Sequence, residues 1–336
     1  MRVLLVKTSS MGDIIHTLPA LTDATHAIKN IQFDWMVEES FASIPAWHPS
    51  VSKVIPVALR RWRKNIFSKE TYQGLHALRS LLKNESYDLI LDAQGLVKSA
   101  FLTFFAKGKR AGLDFKSARE SYASFAYQEK YPVNFYQHAV IRMRNLFSLA
   151  LNYPLKNTLP QFGITPTTTH REKNPYLVFL HGTTWESKQW PEAYWIQLAS
   201  LAQSANFHIK ISGGNDEEVA RAKRIARNIE NVEVLPYVKI PQMFTILSGA
   251  QAVITVDTGF GHLAAALNIP TVSLYGSTNP IYTGALGNHS HQLAAQFPCA
   301  PCINRQCHFK GTRDVAPACF ETIKPALVWQ TLQAYL

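Results

Sequence analysis

The feature that most constrains the fold of this 336-residue chain is an alternation of short apolar runs with helical patterns, which occurs twice. Residues 3–6, 33–37 and 89–92 are typical of buried strands, and the alternation restarts over 176–180 and continues to 271–275. Strands that alternate with helices favour a parallel sheet covered on both faces. The sequence therefore predicts an α/β protein with two domains of similar size and a ligand cleft at the carboxyl ends of their strands.

The two halves are separated by residues 152–175, which contain proline, threonine and charged residues without periodicity and are typical of a linker. We therefore expect domains over 1–160 and 175–320. The apolar run at the N-terminus ends after four residues, which is too short for a signal peptide, so we expect the chain to be cytoplasmic. No apolar run reaches the roughly 18 residues of a membrane span.

The net charge of +11 is concentrated in one part of the chain. Residues 53–119 contain 14 Lys or Arg and 5 Asp or Glu, a net +9, whereas residues 169–336 contain 13 and 11, a net +2. A local basic excess indicates an anionic partner, such as nucleic acid, an acidic membrane surface or a phosphorylated substrate. A solubilising face without a partner is the alternative.

The turn after the first predicted strand contains three small residues, Ser9, Ser10 and Gly12, which let a ligand approach the start of a helix. Backbone N–H groups at such a helix start attract anions, although neither the P-loop nor the dinucleotide fingerprint is present. Asp13 follows in the first helical turn, where stabilisation of the helix dipole is by itself sufficient to explain an acidic residue.

Two turns in the second half suit phosphate groups. Thr183, Thr184 and Lys188 follow the strand over 176–180, and their hydroxyl groups and positive charge suit a diphosphate. A polar loop before a helix is the alternative.

The second of these turns, Asp257-Thr258-Gly259, follows the strand over 252–256 and leads into a helix that contains Gly261 and His262. The two glycines would free backbone N–H groups to hold a phosphate, with His262 as a further donor, whereas a turn needed only for packing is the alternative.

Two other segments also leave alternatives open. Glu218 lies in the helix start that follows a glycine pair, where it either complements the helix dipole or accepts hydrogen bonds from a ribose diol. Residues 60–64 place four cations around Trp62, a set that suits phosphate groups and a stacked sugar or base, or else forms a solvated helix face.

The four cysteines, Cys299, Cys302, Cys307 and Cys319, begin with a C-x2-C pair, but their later spacing fits no zinc-finger template. A four-thiolate site and reduced thiols on a loop are the alternatives, and we predict no metal. The chain contains no Asp-x-Asp motif, which counts against a sugar transferase that holds its donor through a divalent metal. It also lacks Gly-x-Ser-x-Gly, which disfavours a hydrolase.

Taken together, these segments resemble the lipopolysaccharide heptosyltransferase I family. The resemblance covers most of the chain and is carried by residues 6–23, 33–39, 54–64, 91–99, 188–192 and 256–259. It implies the GT-B architecture of an inverting glycosyltransferase, in which two Rossmann-like domains face a cleft and a C-terminal helix, here 321–336, crosses back to the first domain. The cysteine segment is more like the tails of heptosyltransferase II and related members.

The resemblance also implies the substrates and the site. The donor would be ADP-heptose and the acceptor the inner Kdo residue of Kdo2-lipid A, with no cofactor or metal. Asp13 would be the general base and Lys188 would face the leaving diphosphate. The implied donor contacts are Ser9, Ser10, Gly12, Thr183, Thr184, Lys188, Glu218, Asp257, Thr258, Gly259 and His262. The implied acceptor contacts are Arg60, Arg61, Arg63, Lys64 and Arg119.

We therefore expect a cytoplasmic heptosyltransferase of lipopolysaccharide core biosynthesis that is peripheral on the cytoplasmic face of the inner membrane and transfers the first heptose. One alternative is transfer of the second heptose. The other is a non-enzymatic nucleic-acid-binding protein that uses residues 60–64. Because no motif that reads RNA or DNA is present, we expect no nucleic acid as a partner.

Overall fold

A computed structural model describes residues 1–166 and 174–336, so residues 167–173 of the predicted linker lie outside the described residues. The chain divides into two compact units, Met1–Ile164 and Thr165–Leu336. In each unit the strands form a parallel sheet that helices accompany. The predicted α/β class with two Rossmann-like domains is thereby confirmed. Within the described ranges, none of the helices combines the length and the apolar character that crossing a membrane requires.

The first unit is built on six parallel strands. They are β1 (Arg2–Val6), β2 (Gln32–Glu38), β3 (Val51–Val57), β4 (Ser86–Asp92), β5 (Lys107–Leu113) and β6 (Glu129–Tyr131). Its helices are α1 (Met11–Ile15), α2 (Leu18–Ala27), α3 (Ser43–Ala46), α4 (Leu59–Lys64), α5 (Lys69–Leu82), α6 (Val97–Leu102) and α7 (Ala139–Leu151). The strand order is β3-β2-β1-β4-β5-β6. The apolar side chains of β1 after Arg2 are fully buried, as in a strand covered on both faces.

The second unit repeats this plan. Its strands are β7 (Tyr176–Leu180), β8 (His208–Ile211), β9 (Val232–Val234), β10 (Ala252–Val256), β11 (Thr271–Tyr275) and β12 (Ser290–Ala294). Its helices are α8 (Glu192–Ser204), α9 (Asp216–Ala226), α10 (Ile240–Gly249), α11 (Gly259–Ala266), α12 (Pro280–Thr283) and α13 (Pro325–Gln333). The strand order is β12-β11-β10-β7-β8-β9. Short 3₁₀ helices across the two units occupy Glu39–Phe41, Thr103–Phe105, Ser121–Ala126, Glu186–Lys188 and Ala318–Thr322.

Each sheet has one position where the direction of strand addition reverses. In the first unit this position lies between β1 and β4, and in the second between β7 and β10. The connections that leave two such strands run to opposite sides, which opens a crevice at the carboxyl ends of the strands where ligands bind in open α/β sheets. The candidate residues of each unit should therefore be sought in the loops that follow these strand pairs.

The C-terminal helix requires a correction. We expected residues 321–336 to belong to the first domain, but Val328, Trp329 and Leu332 of α13 are buried in the core of the second unit together with Trp190. The indole Nε1 of Trp190 donates a hydrogen bond to the Ile323 carbonyl oxygen, 2.9 Å away. Because one face of α13 packs against α8 and β11, this helix is part of the second unit.

Trp62 also differs from the sequence interpretation, because its ring is not available for stacking on a sugar or base. It is buried in the core of the first unit beside Leu78 and Leu82. The ring lies so close to Gly74 that a Cβ atom there would be 2.7 Å from it. A glycine at this position of α5 therefore makes room for the indole, and the cations of residues 60–64 surround a core residue.

Candidate functional site

The first-unit site begins in the loop between β1 and α1. The backbone N–H groups of Thr8 and Ser9 donate to Gln94 Oε1 at 2.9 and 3.1 Å, and Gln94 Nε2 donates to the Ser9 carbonyl oxygen at 2.7 Å. Gln94 follows β4, so its amide joins the two loops that leave the strand pair β1 and β4. Gln94 was missed because a lone glutamine after a strand carries no spacing signal.

Asp13 lies in the first turn of α1, as predicted. Its Oδ2 accepts hydrogen bonds from the backbone N–H and the hydroxyl of Ser10, at 2.7 and 2.9 Å. This contact satisfies one N–H group at the helix terminus. Asp13 therefore caps the start of α1, which is the structural alternative to a role in catalysis. Among the described residues, none donates a hydrogen bond to the other oxygen, Oδ1. Oδ1 of this half-buried carboxylate can therefore still accept one.

Two cations, Lys7 and Arg142, interact electrostatically with this carboxylate. Lys7 is buried and donates from Nζ to the Ala93 carbonyl oxygen at 2.9 Å; burial lowers its pKa, while Asp13 acts in the opposite direction. Arg142 of α7 donates to the Ser117 carbonyl oxygen at 3.0 Å, and burial lowers its pKa while Asp13 again opposes that shift. Arg142 was missed because it lies in an amphipathic helix, where an arginine at one position is unremarkable.

The predicted acceptor cations occupy different surroundings. Arg61 forms ion pairs with Glu39 and Glu70, so its charge is locally balanced. The guanidinium of Arg60 lies 4.9 Å from the centre of the Phe41 ring. Arg63, Lys64 and Arg119 are exposed, and within the described ranges no ion pair involves them. The structure thus brings Arg60, Arg61, Arg63 and Lys64 onto α4, whereas Arg119 lies on a separate loop near Lys7.

In the second unit the candidate residues meet at Asp257, which follows β10. Lys188 Nζ lies 2.7 Å from Asp257 Oδ2, and His262 Nε2 lies 3.8 Å from Oδ1. Thr183, after β7, donates from its hydroxyl to the Asp257 carbonyl oxygen at 3.1 Å. The Thr278 hydroxyl donates to Oδ2 at 2.8 Å. The loops after the strand pair β7 and β10 are therefore joined directly, as those of the first unit are.

The electrostatics of this group favour an ionised Asp257. Burial disfavours the charged carboxylate, but His262 and Lys188 together hold the pKa of Asp257 well below its usual range. The ammonium group of Lys188 also lies 4.5 Å from the centre of the Trp185 ring. Lys188 is thus fixed from two sides at the strand end. Thr278 was missed because it lies 21 residues beyond its partner Asp257.

The turn into α11 has the form predicted for anion binding, with one change. Thr258 is the N-cap residue of α11 but makes no capping hydrogen bond with its side chain, and Gly259 is the first helical residue. Gly261 does not offer a free N–H group, since it donates to the Thr258 carbonyl oxygen at 3.1 Å. A Cβ atom on Gly261 would lie 2.7 Å from Thr255, so this glycine serves the close packing of α11 on β10.

Glu218 and Thr184 complete the second-unit predictions. The Glu218 carboxylate accepts a hydrogen bond from Gly214 N at 2.7 Å, and its N–H is capped by the Asn215 side chain at 2.9 Å. The same carboxylate lies against Gly182, where a Cβ atom would be 2.5 Å from Oε2. Glu218 is thus adjacent to the loop that carries Thr183. Thr184 is exposed on that loop.

The segment that contains the cysteines supports the Lys188 loop. The Ser187 hydroxyl donates to the Ser277 hydroxyl at 2.9 Å, and Ser187 N donates to the Arg305 carbonyl oxygen at 3.1 Å. The Arg305 guanidinium lies 5.8 Å from the centre of the Trp185 ring. Residues 303–305 therefore hold the 3₁₀ helix Glu186–Lys188 in place, and Arg305 adds a cation that the sequence did not indicate.

The four cysteines line one cavity of about 320 Å³ next to Ser187 and Ser277. All four are free thiols; burial, and then the three other cysteines, raise the pKa of Cys319 to about 12. In the described part of the chain, no three His, Cys, Asp or Glu side chains are arranged to hold a metal ion. The cysteine segment therefore shapes the wall behind the Lys188 loop.

Comparison with known proteins identifies the class. The family model of glycosyltransferase family 9 (heptosyltransferase) matches residues 75–313. Over 353 aligned residues the chain is 49% identical to lipopolysaccharide heptosyltransferase 1 of Pseudomonas aeruginosa, covering 100% of this chain and 98% of that protein. The structure of E. coli heptosyltransferase WaaC with ADP is 41% identical, with a TM-score of 0.89 and full coverage of both chains. WaaC with ADP-2-deoxy-2-fluoro heptose gives a TM-score of 0.84, again at 41% identity and full coverage.

This chain belongs to glycosyltransferase family 9, the heptosyltransferase family, and is a glycosyltransferase. A type 2 relative, lipopolysaccharide heptosyltransferase 2 of E. coli, is 23% identical over 326 residues, with 87% of this chain and 88% of that protein covered. The chain is therefore nearer in sequence to the type 1 relative than to this type 2 relative. The alternative of a non-enzymatic nucleic-acid-binding protein has no support from these comparisons.

Proposed function

We propose that this enzyme transfers L-glycero-D-manno-heptose from ADP-heptose to the inner Kdo residue of Kdo2-lipid A, with inversion at the anomeric carbon. The observation that carries the proposal is the group of Lys188, His262 and the N-terminus of α11 around Asp257, at the crevice of the second sheet. Such a set of fixed donors suits a nucleoside diphosphate without a metal. The bound ligands named for the WaaC structures support the same donor.

Asp13 is the proposed general base. Its Oδ1 is free to accept the proton of the Kdo hydroxyl, while Oδ2 is held by Ser10. A carboxylate suits this role because the attacking hydroxyl becomes acidic only as the bond to the anomeric carbon forms. Lys7 and Arg142 keep the carboxylate in a positive environment. The same environment suits an acceptor that carries carboxylate and phosphate groups.

The leaving ADP is stabilised by the second-unit residues. Lys188 and His262 would face its diphosphate, with Thr183, Thr184, Thr258 and Gly259 as further donors. Glu218, beside Gly182, would accept the hydrogen bonds of the ribose diol. Ser9, Ser10 and Gly12 would contact the donor from the loop after β1. The acceptor phosphates and carboxylates would bind Arg60, Arg61, Arg63, Lys64 and Arg119, in a cytoplasmic protein that is peripheral on the inner membrane.

Release of ADP tests the whole proposal. The purified protein, incubated with ADP-heptose and Kdo2-lipid A in the presence of EDTA, should release ADP in proportion to the heptosylated product. The rate should depend on both substrates. Release of ADP only with an acceptor that already carries the first heptose would instead assign the second transfer, and no release with either acceptor would reject the proposal.

Replacement of the base separates chemistry from donor binding. In Asp13→Asn the amide oxygen can still accept from Ser10, but the base is lost, so we expect kcat to fall by about 10³-fold while the affinity for ADP-heptose stays within about twofold. Asp88→Asn is the matched control, because Asp88 Oδ2 also accepts a backbone N–H, that of Arg2, at 2.7 Å. Turnover that survives in Asp13→Asn would remove Asp13 as the base.

The role of Lys188 can be tested against a lysine in similar surroundings. Lys188→Met should weaken ADP binding by about 10- to 100-fold in calorimetry, because a charge-assisted contact to the diphosphate is lost. Lys210 is the matched control: it is 13% exposed against 16% for Lys188, pairs with Glu233 and lies 4.4 Å from the centre of the Tyr176 ring. Equal losses in Lys188→Met and Lys210→Met would indicate a general effect on stability and contradict the assignment.

The acceptor patch predicts a different kinetic signature. The double variant Arg63→Gln/Lys64→Gln should raise the KM for Kdo2-lipid A by about tenfold and leave the KM for ADP-heptose unchanged, because these exposed cations lie on the first unit. Arg79→Gln/Lys83→Gln, which removes two exposed cations of the same unit, is the control. An equal rise in both KM values would argue against an acceptor patch.

A further inference from the structure

The first unit carries exposed aromatic side chains that the proposed reaction does not use. Phe115, Tyr122 and Phe125 are 51, 73 and 70% exposed. Their ring centres lie 6.1 or 6.2 Å apart in all three pairings, so the rings form one cluster in contact with solvent. A contiguous exposed apolar group of this kind indicates an interaction site rather than scattered surface hydrophobicity.

A second exposed pair, Phe101 and Phe104, is tied to this cluster. The Arg110 guanidinium lies 4.5 Å from the centre of the Phe104 ring, and its Nε donates to the Ala126 carbonyl oxygen at 2.9 Å. The helix α6 also packs on Ser121–Ala126 through a small core that includes Ala100 and Ala123. We call the five residues Phe101, Phe104, Phe115, Tyr122 and Phe125 the aromatic surface.

Along the sequence, cations are interleaved with these rings. Residues 97–127 contain six Lys or Arg and two Asp or Glu, a net +4. Lys98, Lys116 and Arg119 are exposed, and no ion pair found among the described residues involves them. The core of a protein–protein interface is depleted in lysine, whereas aromatic rings beside unpaired lysines and arginines are typical of surfaces that lie in the headgroup region of an anionic bilayer.

The aromatic surface is connected by hydrogen bonds to the loop between β1 and α1 of the same unit. Tyr127, next to the Ser121–Ala126 helix, donates from its hydroxyl to the buried Asp92 Oδ2 at 2.6 Å. Asp92 Oδ1 accepts from Gln94 N at 2.7 Å, and Gln94 holds Ser9 in the loop that leads to Asp13. A membrane bound at the aromatic surface would thus be held at a fixed position relative to the proposed base.

We infer that the aromatic surface docks this enzyme on an anionic phospholipid bilayer, with the rings in the headgroup region and Lys98 and Lys116 on lipid phosphates. The inference deepens the proposed function and rests on it, since it names the surface by which the enzyme reaches an acceptor carried on a lipid. The rings supply apolar burial and the cations supply charge complementarity, and together they provide the two signals that stable peripheral binding needs.

Vesicle flotation tests this docking surface. The wild-type protein should float with vesicles of phosphatidylglycerol and phosphatidylethanolamine, and at least tenfold less with phosphatidylcholine vesicles. The double variant Tyr122→Ser/Phe125→Ser should lose at least tenfold in partitioning to the anionic vesicles, and Lys98→Gln/Lys116→Gln should lose severalfold and show a weaker salt dependence. Tyr237→Ser is the matched control, because Tyr237 is 69% exposed but lies in the second unit, and it should partition as the wild type does.

A second measurement keeps the two proposals distinguishable. Transfer of heptose to a water-soluble Kdo acceptor without acyl chains should be unchanged in Tyr122→Ser/Phe125→Ser, which also shows that the variant folds. Absence of such transfer in the wild type would reject the proposed function while vesicle binding could still be measured. Anionic-vesicle partitioning of the double variant within twofold of wild type would overturn the docking surface. The docking surface would also be overturned if sedimentation velocity showed a dimer that forms without lipid and that only Tyr122→Ser/Phe125→Ser abolishes.

Discussion

The reversal of strand order at β1/β4 and at β7/β10 is the constraint on which the rest of the structure depends. A parallel strand pair whose connections leave in opposite directions cannot have its carboxyl ends covered by its own helices, so polar loops lie there without disturbing the core. In both units polar contacts join the two loops across this gap. Gln94 binds Thr8 and Ser9 in the first unit, and Thr183 binds the Asp257 carbonyl oxygen in the second.

The pairing of Lys188 with Asp257 decides what kind of anion site the second unit can offer. A lone ammonium group would be mobile, whereas this one is held by a buried carboxylate. Removing one partner of a buried ion pair typically costs about 3–5 kcal/mol. An ammonium group has three N–H donors, of which Asp257 uses one, so two are left for phosphate oxygens. The carboxylate also cancels much of the local positive charge. The site therefore suits a diphosphate that supplies several contacts and disfavours a single small anion.

The sequence predicted those parts of the fold and of the candidate site whose residues lie close together along the chain. The apolar runs that form β1 and β7 are continuous, and that of β10 is interrupted only by Thr255, because both faces of those strands are buried. The turn at Asp257 directly follows β10. By contrast, β5 reads Lys-Gly-Lys-Arg-Ala-Gly-Leu and has no strand pattern, since its first half is not buried. Gln94, Arg142 and Thr278 were missed because their partners are distant in sequence. The C-terminal helix was assigned to the other unit by resemblance alone, and only the packing of Trp329 and Leu332 corrects it.

The basic excess of residues 53–119, a net +9, predicts the charge of a partner but not the cations that contact it. In the structure, several members are balanced by nearby carboxylates: Lys53 by Glu85, Arg61 by Glu39 and Glu70, and Lys109 by Glu129. The cations that take part in no ion pair among the described residues include Arg63 and Lys64 on α4, and Lys98, Lys116 and Arg119 in the segment that carries the exposed rings. Exposed pairs contribute little free energy, whereas unpaired cations lose no partner when an anion binds. These two groups are the ones that we propose for the phosphorylated glycolipid and for the membrane that carries it.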